Sequence, residues 1–210
     1  MKLVAGKGSR ETGSCWMSAI AWYAGQEKWT DQAECVDPAI RRLCIRVNDR
    51  LPTDADRERV IGPHIMTPLG TRTDDLDVIQ ARTERIVGFA MGQAAESLRR
   101  RGLDELAKTL DPFSVVCPKL RWEEAKTAAA DAADAAYAAY AAYAAYAADY
   151  ASYAADAADA ADAADAAAYA AVAVEARAAE NHLLPLILEL CAIGAKTGVT
   201  QVRALEDLPR

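Results

Sequence analysis

Cys15, in the stretch GSCWMSAIAW, is the side chain of this 210-residue chain best placed to do chemistry. The residues behind it, Trp16, Ala19, Ile20 and Tyr23, fall at helical spacing, so the thiol stands where a helix begins. At that position the helix dipole favours the thiolate, which is the nucleophilic form of cysteine. A nucleophile of this kind also needs a base, and the chain offers only two histidines, His64 in IGPHIMTP and His182 beside Asn181. Two histidines so far apart predict no metal centre, and both read as structural. The acidic pairs Asp74/Asp75 and Glu123/Glu124 lie at predicted helix starts, where carboxylates meet the dipole favourably and capping is the default over acid–base work. Neither G-x-x-x-x-G-K nor G-x-G-x-x-G occurs, and no cofactor is expected.

The Cys15 stretch looks locally like the nucleophile segment of papain-like cysteine proteases, with Asn181-His182 as a distant partner. In that family the base comes from a β-rich half, whereas here the intervening chain is rich in alanine. A cysteine-dependent hydrolase using Cys15 is therefore the alternative reading, and a small apolar residue at a helix start the leading one.

Charge narrows the classes further. The chain holds 31 acidic and 24 basic residues, and seven Asp but no Lys or Arg lie between Ala128 and Ala171, so the net charge of −7 sits in that tract. Phosphate binding needs a basic face, which argues against a direct nucleic-acid ligand. The five cysteines, Cys15, Cys35, Cys44, Cys117 and Cys191, are odd in number, widely spaced and free of any C-x-x-C pair, so neither a disulfide framework nor a zinc site is expected. A reducing cytoplasm fits them best. The start MKLVAGKGSRETGS has no continuous apolar region, and Asp or Tyr interrupts the alanine tract too often for a bilayer span. A cytoplasmic protein without membrane contact is expected.

The elements that would position these residues read as helices, which predicts an all-α fold. After the helix that Ser14 is expected to cap, DPAIRRLCIRVND has Asp37 as N-cap and Pro38 at the first position. Its apolar face is Ile40, Leu43, Cys44 and Val47. Thr53 or Asp54 can cap a short helix, a longer one runs from about Asp75 to Arg101 until Gly102 stops it, and LDELAKTLD adds another. FSVVC reads as an extended linker, since no second strand offers it a partner. The composition suggests a helical domain over 1–118, a repeat helix or helical hairpin over 119–181, and an apolar C-terminal helix and tail over 182–210 entered through Pro185.

The repeat itself, YAAYAAYAAYAADYASYAADAADAADAAD from Tyr137, has a period of three, while alanine makes an α-helix the expected conformation. Three residues advance a helix by about 300°, so a row of triplets drifts by about −60° per step. On one unbroken helix, Tyr137, Tyr140, Tyr143, Tyr146, Tyr150, Tyr153 and Tyr169 all fall within about 160–360° of a common reference. Asp131, Asp134, Asp149, Asp156 and Asp159 fall within about 40–120°, and only Asp162 and Asp165 cross to the tyrosine side. This predicts a Tyr/Ala face suited to packing against another helix, opposite an acidic ridge. A single rod over 119–181 would measure about 95 Å, so it either breaks into a hairpin near Asp149 to Ser152 or packs along another subunit.

The order GSCWMSAIAWYAGQEKWTD, ECVDPAIRRLCIRVNDRL, LGT and then alanine-rich triplets is similar to an uncharacterised family associated with actinobacteria and their phages. Family members commonly show Asp-His-Pro where this chain has Asp31-Gln32-Ala33, and the resemblance implies no activity. The expected function is that of a non-enzymatic interaction or self-assembly protein, phage- or actinobacterium-associated, whose interaction residues are the seven repeat tyrosines. Its partner is a protein or a second copy of the chain. An immunity-type protein that neutralises a partner through the acidic ridge is a further alternative.

Overall fold

The computed structural model describes residues 2–6, 8–9, 11–139, 142–156, 160–174 and 179–194. Among them the chain is all-α apart from one pair of two-residue strands. It divides into two compact units, Met1–Asp75 with Ala179–Arg210, and Leu76–Ala178. The division cuts across the compositional boundary at residue 118, because the long helix before that point packs with the repeat.

The first unit opens on β1 (Gly8–Ser9) and β2 (Gly13–Ser14), an antiparallel pair that the sequence did not predict. Strands this short carry no readable alternation. Their close approach requires glycine at Gly8, φ 66°, where a Cβ would collide with the Gly13 carbonyl oxygen of the paired strand. α1 (Trp16–Tyr23) follows, and its N-cap is Cys15 rather than Ser14, which is committed to β2. α2 (Pro38–Arg50) is capped by Asp37, whose carboxylate accepts from the Ala39 and Ile40 amides, and it buries Ile40, Leu43, Cys44 and Val47 as its periodicity predicts. α3 (Asp54–Ile61) is capped by Thr53. Arg57, 4 % exposed, turns back from α3 to the Asn48 and Leu51 carbonyls and so closes the α2–α3 corner. The C-terminal element begins as a π-turn over Ala179–Leu183, where Glu180 holds Arg59 through both carboxylate oxygens at 2.7 and 3.0 Å. It then continues as an α-helix, Leu184–Ala192, that packs on α2.

The second unit is built on α4 (Leu76–Arg100), with α5 (Asp104–Leu110) turning back after Gly102 at φ 73°. The repeat supplies α6 (Trp122–Ala138), α7 (Ala142–Asp156) and α8 (Ala160–Val174). It is neither a rod nor a single hairpin. α6 ends at Ala138 and α8 begins at Ala160, while residues 149–152, the expected break, lie inside α7. Tyr137 meets Tyr146, and Tyr150 meets Tyr169, so α6, α7 and α8 run antiparallel in turn. α7 and α8 both pack on α4, and α6 packs on α7.

α4 buries Ile86, Val87, Met91, Leu98 and Arg82, and the repeat's share of the core is alanine. α6 buries Ala125, Ala129, Ala132, Ala133 and Ala136, a stripe about 100° wide that suits one main neighbour. α7 buries Ala144, Ala145, Ala147, Ala148, Ala151, Ala154 and Ala155, about 180° of its circumference, as a helix with three neighbours requires. Splitting the tract into helices of 15 to 17 residues keeps the drift of each triplet row on the outer side. In α7 the row of Tyr146, Asp149, Tyr150 and Tyr153 stays within about 100°. Small methyl groups on the inner side let helix backbones approach closely.

Two expectations are thereby corrected. Tyrosine and alanine do not share one packing face, since the buried side is alanine and Tyr137, Tyr146 and Tyr153 are exposed. Nor are tyrosine and aspartate on opposite sides, because angles measured along one helix lose meaning once the helix folds back twice. Asp131, Asp134 and Tyr137 share the outer side of α6.

FSVVC is an extended strap, and its partner is a helix. Val115 N–H donates to the Gly88 carbonyl at 3.2 Å and Cys117 N–H to the Glu84 carbonyl at 3.0 Å, both on α4. The Arg85 guanidinium binds the Val115 carbonyl at 3.0 Å, and the Glu84 carboxylate accepts from Lys119 N–H at 2.9 Å. Gly88 permits this approach, for a Cβ there would lie 2.5 Å from the Val115 backbone. Val115 itself has φ 75°, a conformation a β-branched residue adopts only under constraint.

Candidate functional site

The region around Cys15 is built by the motifs that stand out in the sequence. Its Sγ lies 3.1 Å from Ser18 Oγ and accepts from Ser18 N–H at 3.3 Å, which makes the thiol the cap of α1. The buried Asn48 accepts from Trp16 N–H at 3.2 Å and donates to the Val4 carbonyl and to Asp49. Asp49 also accepts from Gly6 N–H at 2.8 Å, fastening the N-terminal segment to α2. Trp16 Nε1 donates to the Ile65 carbonyl. Thr71 of LGT accepts from Asp37 N–H and donates to the Pro68 carbonyl, while Arg72 N–H donates to the Cys35 carbonyl. CVDP and LGT therefore meet, and their polar groups serve each other.

A cavity of about 30 Å³, room for one water, lies beside the thiol and is lined by Gly6, Cys15, Asp31, Ile45, Asn48 and Asp49. No histidine lines it. Cys15 is 4 % exposed, and burial pushes its pKa up more than the amide and hydroxyl bonds from Ser18 bring it down, with Asp31 adding a further upward push. The environment thus protects the thiol rather than the thiolate. Burial likewise raises Cys44, Cys35 and Cys117. Among the described residues no group of three or more His, Cys, Asp and Glu side chains is placed to hold a metal ion.

The outer side of the repeat bundle presents a different arrangement. Tyr146, Tyr150 and Tyr153 stand at i, i+4 and i+7 on α7 and form one stripe. Tyr137 of α6 meets the Tyr146 ring edge-on, with centroids 5.9 Å apart, and its hydroxyl donates to Asp149 at 3.0 Å. Tyr150 lies 6.3 Å from Tyr153 and stacks on Tyr169 of α8 at 4.9 Å. Five phenols thus form a ladder across three helices. Tyr137, Tyr146 and Tyr153 remain 42 %, 50 % and 62 % exposed, while Tyr150 and Tyr169 are half-buried between helices. Tyr140 and the Tyr143 side chain lie outside the described residues.

Aspartates border the ladder. Asp131, Asp134 and Asp162 are exposed, and Asp149 and Asp165 are half-buried. The phenol of Tyr137 is pushed up to about 12 by desolvation first and then by its bond to the Asp149 carboxylate and that group's charge. It remains a hydrogen-bond donor throughout the neutral range. Sequence reasoning identified the tyrosines but missed Asp149 as their partner, because the pairing depends on where the helix folds back. No helix among the described residues is long and apolar enough to cross a membrane. No protein-family model, curated protein or solved structure matches the chain.

Proposed function

We propose that this chain is a non-enzymatic interaction protein that engages a protein partner or a second copy through the tyrosine ladder of α6, α7 and α8. One observation carries the reading: three ladder tyrosines project into solvent from helices whose buried side is alanine. Exposed tyrosine supplies a large, rigid contact area at low entropic cost, with a hydroxyl for hydrogen bonding, and is enriched at recognition surfaces. The alternative of catalysis by Cys15 has less support, given a buried thiol with raised pKa and no histidine at its cavity. The phage or actinobacterial setting suggested by the sequence resemblance, and a cytoplasmic location, belong to the same proposal.

The test combines sedimentation over a wide concentration range with ring-proton NMR of the tyrosines. It is run against peptides of positive, negative and neutral charge, on the wild type and on Tyr146→Ala/Tyr153→Ala. Association or ring perturbation that the double variant loses supports the reading. A chain that stays monomeric while no peptide perturbs the ladder overturns it.

A further inference from the structure

The ladder has a charge as well as a shape, and the charge selects among partners. The tract between Ala128 and Ala171 carries seven Asp and no Lys or Arg, so its own sequence is uniformly acidic. Exposed Asp131 and Asp134 share the outer side of α6 with Tyr137, and Asp149 lies within the ladder, hydrogen-bonded to Tyr137. The outer side therefore sets the exposed rings of Tyr137, Tyr146 and Tyr153 beside the exposed carboxylates of Asp131 and Asp134, while Arg82 of α4, a cation of the same unit, is buried beneath at 1 % exposure.

We infer that the ladder is a docking surface for an arginine-rich segment of a partner protein; the inference rests on the interaction reading above and gives its partner a chemistry. A guanidinium plane can stack on a phenol face while its N–H groups reach a neighbouring carboxylate, and the alternation of Tyr and Asp presents both acceptors at once. Lysine meets the charge but cannot stack in the same planar way. A second copy of the chain is disfavoured at this face, since it would bring the same aspartates against each other. Nucleic acid is disfavoured for the same reason. Pairs of rings already in contact, such as Tyr137 with Tyr146, hold their faces without a partner, so less ordering is left for binding.

The experiment titrates the full chain with a twelve-residue peptide of alternating Arg and Gly, its Lys counterpart and its Glu counterpart, followed by calorimetry and tyrosine ring resonances. The Arg peptide is expected to perturb Tyr137, Tyr146 and Tyr153, to bind several-fold tighter than the Lys peptide, and to weaken as salt is raised. Tyr146→Ala/Tyr153→Ala should weaken it by about fivefold to thirtyfold, from two exposed cation–π contacts, with unchanged helical content. Tyr146→Phe/Tyr153→Phe should retain most of the affinity, since the ring faces remain. Equal binding of Arg and Lys peptides, or binding indifferent to the Ala pair, reduces the surface to bare charge and overturns the inference. Ladder-dependent self-association without Arg-peptide binding also overturns it, yet leaves the interaction reading standing. A silent ladder in every assay sinks both.

Discussion

The hydroxyl of Tyr137 on α6 donates to the carboxylate of Asp149 on α7 at 3.0 Å, twelve residues away, and so records the fold-back of the repeat in a single bond. Desolvation first, and then that bond and the Asp149 charge, hold the phenol up to about 12, against about 10 for a free tyrosine. Since the folded value is the higher, the stabilisation is fully present below about pH 10 and is lost as pH rises through about 12. Spectrophotometric titration should show Tyr137 ionising late together with the buried Tyr23, also raised to about 12. Tyr137→Phe should remove one of the two late steps. An unchanged late amplitude in that variant would disprove the assignment.

The alanine core makes a sharper demand. Ala133 of α6 is 1 % exposed, so Ala133→Leu must separate two helices packed at alanine distance, and a loss of about 1–3 kcal/mol is expected. Ala130→Leu, on the exposed side of the same helix, should change stability by less than about 0.5 kcal/mol. Urea unfolding of the two variants decides the matter. Equal midpoints would mean that α6 does not pack by this face.

The strap across α4 stores strain at Val115. Glycine tolerates φ 75°, and Val115 is 65 % exposed, so Val115→Gly should gain about 1 kcal/mol from released strain or at worst be neutral, despite a freer unfolded chain. Gly88→Ala should destabilise by about 1–3 kcal/mol, even though alanine is the better helix former, because the new methyl meets backbone atoms. Hydrogen exchange at the Val115 and Cys117 amides should quicken in the second variant alone.

At Cys15 the prediction is inertness. A disulfide reagent at neutral pH should modify the native thiol far more slowly than an unfolded control, since burial opposes the thiolate. Cys15→Ser should keep the cap of α1 and cost little, whereas Cys15→Ala removes it and should cost about 1 kcal/mol. Rapid modification with the fold intact would reopen nucleophilic chemistry at this residue.

Much of the fold is legible from local chemistry. Asp37-Pro38, Thr53, Gly102 and the apolar face of α2 each announce a helix end or a buried side, and each does so in the structure. Less legible are features that depend on distant chain. The fold-back of the repeat leaves no turn residue in the sequence, since alanine both builds and ends α6, where Ala139 is the C-cap. The strap's pairing with helix carbonyls has no strand signature to read. For the site, the tyrosines were visible by type and spacing, while their exposure and the Asp149 bond follow from tertiary contacts. The cysteine context was equally visible, but the burial that quiets it was not.

The repeat also obeys an arithmetic of growth. α7 begins at Ala142 and α8 at Ala160, a helix and its connection apart, which is six triplets. Six triplets also restore the starting direction of a helical row, because they complete about five whole turns. Slippage of one triplet in the coding repeat would rotate every following side chain by about 60° and turn charged or aromatic groups toward the alanine seams. Duplication of six would copy a helix in phase. Length variation in such a gene should therefore survive in jumps the size of one bundle helix, and the surface it exposes would lengthen by whole rungs.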